Sequence, residues 1–95
     1  MKLEIDLQNI NREYEILDKL LEYISGSFFV EKDDINLDES LVDAGIIDSI
    51  GLIKIITFIE NEFSIVMENA DMTKENLGSV AKMTAFIGRK IMERL

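Results

Sequence analysis

The chain has 95 residues, 47% of them hydrophobic, a size and composition that predict one domain with a modest core. It contains no Cys and no His, which excludes disulfide scaffolds, thiol nucleophiles, the common zinc sites and serine hydrolase chemistry that depends on imidazole. The 19 acidic and 10 basic side chains give a net charge of −9, which disfavours nucleic acid as a partner.

The negative charge is not evenly spread, because residues 72–95 hold 2 acidic and 5 basic side chains. The acidic excess before them could steer a basic protein partner, or it could serve solubility alone. No apolar run approaches the ~20 residues that span a bilayer, and the first residues lack a signal peptide's apolar stretch. We therefore expect a cytoplasmic protein without a membrane span, and we expect a monomer.

The first predicted helix begins near Asn9 or Asn11, either of which can cap it. Gly26 is a plausible end for this helix. Its apolar residues recur at helical spacing and predict one buried face formed by Tyr14, Leu17, Leu20, Leu21 and Ile24.

No period persists over residues 27–47, which we predict to be a long loop. Apolar residues in it could anchor the loop to the core: Phe28, Phe29, Val30, Ile35, Leu37, Leu41 and Val42. The oxygen-bearing side chains of Asp34, Asn36, Asp38 and Ser40 alternate as in a calcium-binding loop. However, Glu39 stands where that loop needs Gly, and Gly45 where it needs a bidentate Glu. We therefore predict no metal site, although a weak surface ion stays open.

The second predicted helix covers residues 49–63. A normal core stripe is formed by Leu52, Ile55, Ile56, Ile59 and Phe63. Ile50, Ile53 and Phe58 fall outside the stripe, which indicates either near-complete burial or a face presented to partners. Burial in a bundle explains Phe58, whereas Ile50 and Ile53 are candidates for a docking surface.

Two further helical segments follow. Residues 73–77 predict one short helical turn, and Ser79 is expected to cap the last helix. The inward residues of that helix are predicted to be Val80, Met83 and Ile87, with Phe86 and Ile91 beside them. Arg89, Lys90 and Arg94 lie near its end, where positive charge complements the helix dipole.

The Asp48-Ser49 pair lies where the acidic loop becomes an apolar helix. A hydroxyl on the first turn of a helix is exposed, and a phosphate attached to it meets free backbone N–H groups. The pair is compatible with helix capping, catalysis or modification. Catalysis is disfavoured, because acid–base work by Asp48, or by Asp33 beside Asp34, would need burial that the polar context does not predict.

The sequence Gly45-Ile46-Ile47-Asp48-Ser49-Ile50-Gly51, followed by an apolar helix ending in Glu60-Asn61-Glu62-Phe63, resembles the phosphopantetheine attachment region of acyl carrier proteins. The similarity continues through residues 71–77 and through Ser79-Val80, where that family has its short third helix and the start of its fourth. It covers about residues 10–92 of what we expect to be a single carrier domain, residues 1–95.

The resemblance implies an all-α, acyl-carrier-like four-helix bundle with a long loop between helices 1 and 2 and a short helix 3. It implies that Ser49 is esterified by a 4′-phosphopantetheine arm, with Asp48 helping a phosphopantetheinyl transferase to place its metal and coenzyme A. The protein would then be a carrier and not an enzyme, with no catalytic residues of its own.

The resemblance also implies how such a carrier meets other proteins. Its partners would be the transferase, a ligase that loads an acyl or aminoacyl group as a thioester, and downstream acyl-processing enzymes. The positions where the family docks partners are occupied here by Ile50, Ile53, Lys54 and Thr57. The positions where an acyl chain can enter the bundle are occupied by Leu52, Ile55 and Ile59.

Two residues depart from the carriers of ordinary fatty acid synthesis, which have acidic side chains where this chain has Gly51 and Lys54. Ile46-Ile47 before Asp48, and Gly51 after Ile50, are closer to D-alanyl carrier proteins and other specialised stand-alone carriers. The expected function is therefore a carrier in a specialised biosynthetic pathway. The alternative is a helical interaction module that keeps the bundle without the cofactor.

Overall fold

The computed structural model describes the backbone of residues 2–94 and the side chains of residues 12–94. Its helices are α1 (Lys2–Phe28), α2 (Ser49–Phe63), α3 (Lys74–Leu77) and α4 (Val80–Glu93), with single 3-10 turns at Lys32–Asp34 and Asn69–Asp71. No strand occurs between residues 2 and 94. In the same stretch, every helix is too short or too polar to cross a membrane. This architecture confirms the predicted fold class: an all-α bundle with a long loop before α2 and a short α3.

The first helix begins earlier than predicted. It starts at Lys2, so Asn9 and Asn11 lie within α1 and the prediction that either caps it is wrong. An Asn in a helix interior costs only about 0.5 kcal/mol relative to a good helix former. The neighbouring Leu, Glu and Gln residues favour the helix and outweigh that cost.

The end of α1 also differs from the prediction, because the helix continues past Gly26 to Phe28. Phe29 then adopts a left-handed backbone conformation, with φ of 57°. The N–H of Val30 donates to the carbonyl of Ser25 at 3.3 Å, the bond that closes a helix end of this type. A glycine in a helix interior costs only about 1 kcal/mol, too little to end α1 before Val30 reaches the core.

The core takes one face of each helix, and α1 packs mainly against α4. In the part of α1 whose side chains are described, residues 12–28, the buried hydrophobic residues are Ile16, Leu20 and Ile24, with Leu17 and Leu21 half-buried. Tyr14 is 62% exposed, so its predicted place on the buried face is wrong. The other buried hydrophobic residues of the described part of the chain are Ile35, Leu41, Ile47, Ile55, Ile59, Ile65, Met67, Leu77, Val80, Met83, Phe86 and Ile87.

The loop between α1 and α2 is held down by some of the predicted anchors. Ile35 and Leu41 are buried, and Val30 and Leu37 pack against the core, as does Phe28, which lies in α1 and not in the loop. The carbonyl of Leu37 accepts a hydrogen bond from the N–H of Ala81 at 2.9 Å, which ties the loop to the first turn of α4. Two predicted anchors are wrong, because Phe29 is 94% and Val42 47% exposed.

Ser79 caps the last helix, as predicted, and Thr73 caps α3. The Thr73 hydroxyl accepts from the N–H of Asn76 at 3.3 Å, and the Ser79 hydroxyl from that of Lys82 at 3.2 Å. The basic side chains near the end of α4 do more than complement its dipole. Arg94 donates to the carbonyls of Ser64 and Phe63 at 2.6 and 3.2 Å and so satisfies the end of α2.

Asp71 links the connection after α2 to α4. Its carboxylate accepts from the N–H of Glu68 at 3.0 Å and lies 3.0 Å from Lys90 Nζ. The Glu68 N–H, and then the Lys90 ammonium, hold the pKa of Asp71 below its ordinary value. The Asp71 carboxylate in turn raises the pKa of Lys90. Both shifts favour the charged pair.

Replacing Asp71 by Asn should therefore lower stability at neutral pH. A depressed folded-state pKa gives stability that is present above the unfolded value, about 3.9, and is lost as the pH falls through the folded value. The deficit of Asp71→Asn should thus shrink below about pH 4, as urea denaturation at several pH values would show. Asp43→Asn, which alters an exposed carboxylate, is the control for net charge. If the stability lost in Asp71→Asn were the same at every pH, the Asp71 carboxylate would not be the source of the stabilisation.

Candidate functional site

The loop meets α2 at Asp48, which caps the helix. Its backbone is extended, and its Oδ1 accepts a hydrogen bond from the N–H of Gly51 at 2.8 Å. Its own carbonyl accepts the first helical bond, from Leu52 at 3.0 Å. The carboxylate also complements the positive end of the helix dipole. Capping is thus carried out by Asp48.

Ser49 is the first residue of α2 and is exposed. Because Asp48 supplies the cap, the fold does not require the Ser49 hydroxyl for that purpose. A group attached to its Oγ would lie beside the N–H groups of the first turn, which favour an anion. The geometry is therefore suited to a phosphate ester on this side chain.

Gly51 lies in a tight contact at the same junction. A Cβ atom added there would be 2.9 Å from Ile47 Cβ and 3.1 Å from Phe28 Cε1. Through this close approach, Phe28 at the end of α1 contacts the first turn of α2. Ile47, the residue before Asp48, packs against the same turn. A surface depression of about 480 Å³ lies here, lined by Phe28, Gly45, Ile46, Ile47, Asp48, Ile50, Gly51 and Lys54.

The tight contact predicts that Gly51→Ala is more harmful than Gly26→Ala. Both exchanges gain about 1 kcal/mol of helix propensity, and the Gly26 position has no atom within 4 Å of an added Cβ. At Gly51 overpacking should cost about 1–3 kcal/mol and move Ile47. Urea denaturation of the two variants gives the difference directly. Equal gains in stability would show that the contact relaxes without cost.

One face of α2 is open beside Ser49. Ile50 is 65% and Ile53 61% exposed, and Lys54 and Thr57 are exposed as well. The structure thus brings the four predicted partner-binding residues together on an accessible surface. The Thr57 hydroxyl donates to the Ile53 carbonyl at 3.1 Å. Whether this face docks partners stays a prediction.

Phe58 lies off this open face and stacks on Tyr23 of α1, with ring centroids 4.2 Å apart. The Tyr23 hydroxyl donates to the carbonyl of Lys54 at 3.4 Å. Packing between α1 and α2 therefore accounts for Phe58, as predicted. The same contacts hold the accessible face of α2 in a fixed orientation relative to α1.

The predicted acyl-pocket residues lie on the opposite face of α2. Ile55 and Ile59 have no exposed surface and Leu52 is half-buried. They belong to the packed core, so a carried chain could reach Ile55 and Ile59 only if the helices separated. Among the described residues, no three acidic side chains are grouped as metal ligands. The Asn36 side chain that figured in the calcium-loop alternative accepts instead from the N–H of Asp38, at 3.0 Å.

Comparison with protein families gives a match over residues 18–87 to the family described as phosphopantetheine attachment site. The match covers most of the chain and includes the loop, Asp48, Ser49 and all of α2. The chain belongs to the phosphopantetheine-binding carrier family. As a member of this family it is a carrier and not an enzyme, as the sequence predicted.

Individual carriers show the same relationship. The chain is 32% identical over 66 residues to the D-alanyl carrier protein of Streptococcus uberis, and the aligned region covers 70% of the chain and 82% of that protein. It is 29% identical over 69 residues to the D-alanyl carrier protein of Streptococcus mutans, covering 73% of the chain and 86% of the relative. The description of the matched family names phosphopantetheine as the group that is attached.

Proposed function

We propose that this carrier holds an acyl or aminoacyl group as a thioester on a 4′-phosphopantetheine arm attached to Ser49. The observation that supports this most is the position of Ser49. It is exposed on the first turn of α2, beside the capping Asp48, within the segment that matches the attachment-site family. We further propose that residues 1–95 form one carrier domain.

The attachment step would be a phosphoryl-type transfer from coenzyme A. The Ser49 Oγ attacks the β-phosphorus of coenzyme A, the phosphoanhydride bond breaks, and 3′,5′-ADP leaves. The Ser49 proton passes to a base of the transferase. The product phosphodiester lies at the N-terminus of α2, where backbone N–H groups and the helix dipole favour negative charge. Asp48 would help the transferase to place its metal and coenzyme A.

The arm supplies the chemical group that the chain lacks. With no Cys in the sequence, the thiol that forms the thioester comes from the cofactor. A ligase would first activate the carboxylate of the carried group. The thiol sulfur would then attack the activated carbonyl carbon and displace the activating group, while the thiol proton passes to a base of the ligase. The carrier itself only positions the thioester for the enzymes that load and use it.

We propose that the carried group is short, an aminoacyl or small acyl group. Two matched relatives are named D-alanyl carrier proteins. Ile55 and Ile59 are fully buried, so a long chain would have to separate the helices, whereas a short group needs no internal space. Gly51 and Lys54, which replace the acidic residues of fatty acid carriers, agree with a specialised pathway.

The partners of this function would be a phosphopantetheinyl transferase, a loading ligase and an enzyme that receives the group. We propose that they dock on Ile50, Ile53, Lys54 and Thr57, whose exposure is consistent with this role. An apolar centre of two isoleucines bordered by polar residues is the usual anatomy of such a surface. The monomeric state and the cytoplasmic location stay predictions.

The test is the mass of the purified wild-type chain after incubation with coenzyme A and a broad-specificity phosphopantetheinyl transferase. We expect an increase of one phosphopantetheine unit, on a peptide that contains Ser49. A chain that stays unmodified with several such transferases would contradict the proposal. That outcome would favour the alternative interaction module, which keeps the bundle and the exposed isoleucines without the cofactor.

A further inference from the structure

Phe29 adopts a conformation that its residue type disfavours. It occupies the left-handed position after α1, with φ of 57°, where glycine is the usual residue. Its side chain is 94% exposed, so no burial compensates for the strained backbone. A glycine would satisfy the same turn without strain. The fold alone therefore does not account for a phenylalanine at this position.

Phe29 directly follows α1, whose last residue contacts the first turn of α2. The ring of the preceding residue, Phe28, touches the start of α2, 3.1 Å from where a Cβ of Gly51 would lie. Covalent geometry and this contact keep the Cα atoms of Phe29 and Ser49 within roughly 20 Å of each other. A standard protein interface covers about 800 Å² per partner, a patch about 30 Å across. An enzyme seated on Ser49 can thus also cover Phe29.

Three exposed acidic residues follow Phe29 within five positions of the chain. They are Glu31, Asp33 and Asp34. Lys32, the cation among them, is held 2.6 Å from Glu22 Oε2. An exposed aromatic side chain can anchor a partner by filling an apolar pocket, and the negative charge of the residues that follow it favours a basic partner. We call Phe29, Glu31, Asp33 and Asp34 the Phe29 surface.

We propose that Phe29 is a docking anchor for the phosphopantetheinyl transferase, which would receive its ring in an apolar pocket edged by Lys or Arg. The inference rests on the proposed function, since it requires modification of Ser49. The transferase is the partner favoured because its active site must reach the Ser49 hydroxyl itself. Enzymes that act on the carried group also dock on α2, but their active sites need only reach the distal end of the arm.

The experiment compares Phe29→Gly with a matched control, Ser64→Gly. Ser64 is the other described non-glycine residue with positive φ, at 54°, and it is exposed at the end of α2 remote from Ser49. Both exchanges remove the same kind of backbone strain, so the thermal midpoint should stay level or rise in both. Only Phe29→Gly should slow modification of Ser49 by the transferase with coenzyme A. We expect kcat/KM to fall about tenfold, mainly through KM.

Two more variants define the chemistry of the anchor. Phe29→Tyr keeps a ring and should stay within about twofold of wild type. The double exchange Asp33→Asn with Asp34→Asn should weaken the dependence of kcat/KM on ionic strength, because the charges that steer the encounter are removed. All rates come from the mass of the intact chain over time.

The outcomes separate this inference from the proposed function. If wild type and Phe29→Gly are modified equally fast, the anchor is wrong while Ser49 remains the attachment residue. If Phe29→Tyr is as slow as Phe29→Gly, an apolar pocket for the ring is also wrong. If wild type is not modified at all, the proposed function fails and this inference fails with it.

Discussion

Replacing Ser49 by Ala should abolish attachment of the cofactor, because the attacking Oγ is lost and the arm has no other anchor at this junction. The fold should tolerate the exchange. Ser49 is exposed, the cap is supplied by Asp48, and Ala favours a helix more than Ser does. We expect no gain in mass with coenzyme A and transferase, and a free energy of unfolding within about 0.5 kcal/mol of wild type.

Ser27→Ala is the matched control, since Ser27 is also an exposed serine in a helix, near the end of α1. It should gain one phosphopantetheine unit at the wild-type rate. A Ser49→Ala chain that still gains this mass would place the arm on another residue, and peptide mapping would identify it. A Ser49→Ala chain that unfolds would instead show that the hydroxyl has a structural role.

The later helices could be predicted from the sequence because their local signals agree with one another. Ser79 accepts the hydrogen bond expected of a helix cap, and apolar periodicity begins directly after it, at Val80. The bounds of α2 follow in the same way from the Asp-Ser junction and the Ile-rich stripe. Where cap and period coincide, no long-range information is needed.

The bounds of α1 were predicted wrongly because single residues that often end helices were given more weight than the helix-forming residues around them. Asn9, Asn11 and Gly26 are signals of helix ends, but each costs about 1 kcal/mol or less inside a helix. The predicted buried face of α1 was wrong at Tyr14 for a similar reason. Apolar residues occur around more than one side of α1, and packing against α4 selects Ile16 and leaves Tyr14 exposed.

Some features of the candidate site could be predicted from local sequence and others could not. The outward direction of Ile50 and Ile53 and the inward direction of Ile55 follow from helical periodicity alone. The contact of Gly51 with Phe28 joins residues far apart in the chain, and the exposure of Phe29 depends on where the loop turns. Such features arise from tertiary packing, which one sequence does not encode locally.

Ile59→Ala should strongly destabilise the bundle. Ile59 has no exposed surface and lies in the core shared by the helices. Loss of its side chain removes buried apolar surface and leaves a cavity, at a cost of about 3 kcal/mol. A domain of this size has a total stability of only about 5–14 kcal/mol. The midpoint of urea denaturation should therefore fall markedly, with little change in its slope.

Ile53→Ala is the matched control, because it makes the same chemical change on the same helix at a residue that is 61% exposed. Its free energy of unfolding should stay within about 0.5 kcal/mol of wild type. If Ile53 docks partners as proposed, its loss should slow the transferase instead. Equal stability losses in the two variants would mean that α2 is rotated from the orientation described. We expect instead that Ile59→Ala loses stability and that Ile53→Ala slows the reaction with the transferase. That result would show that one face of α2 builds the bundle and the other meets enzymes.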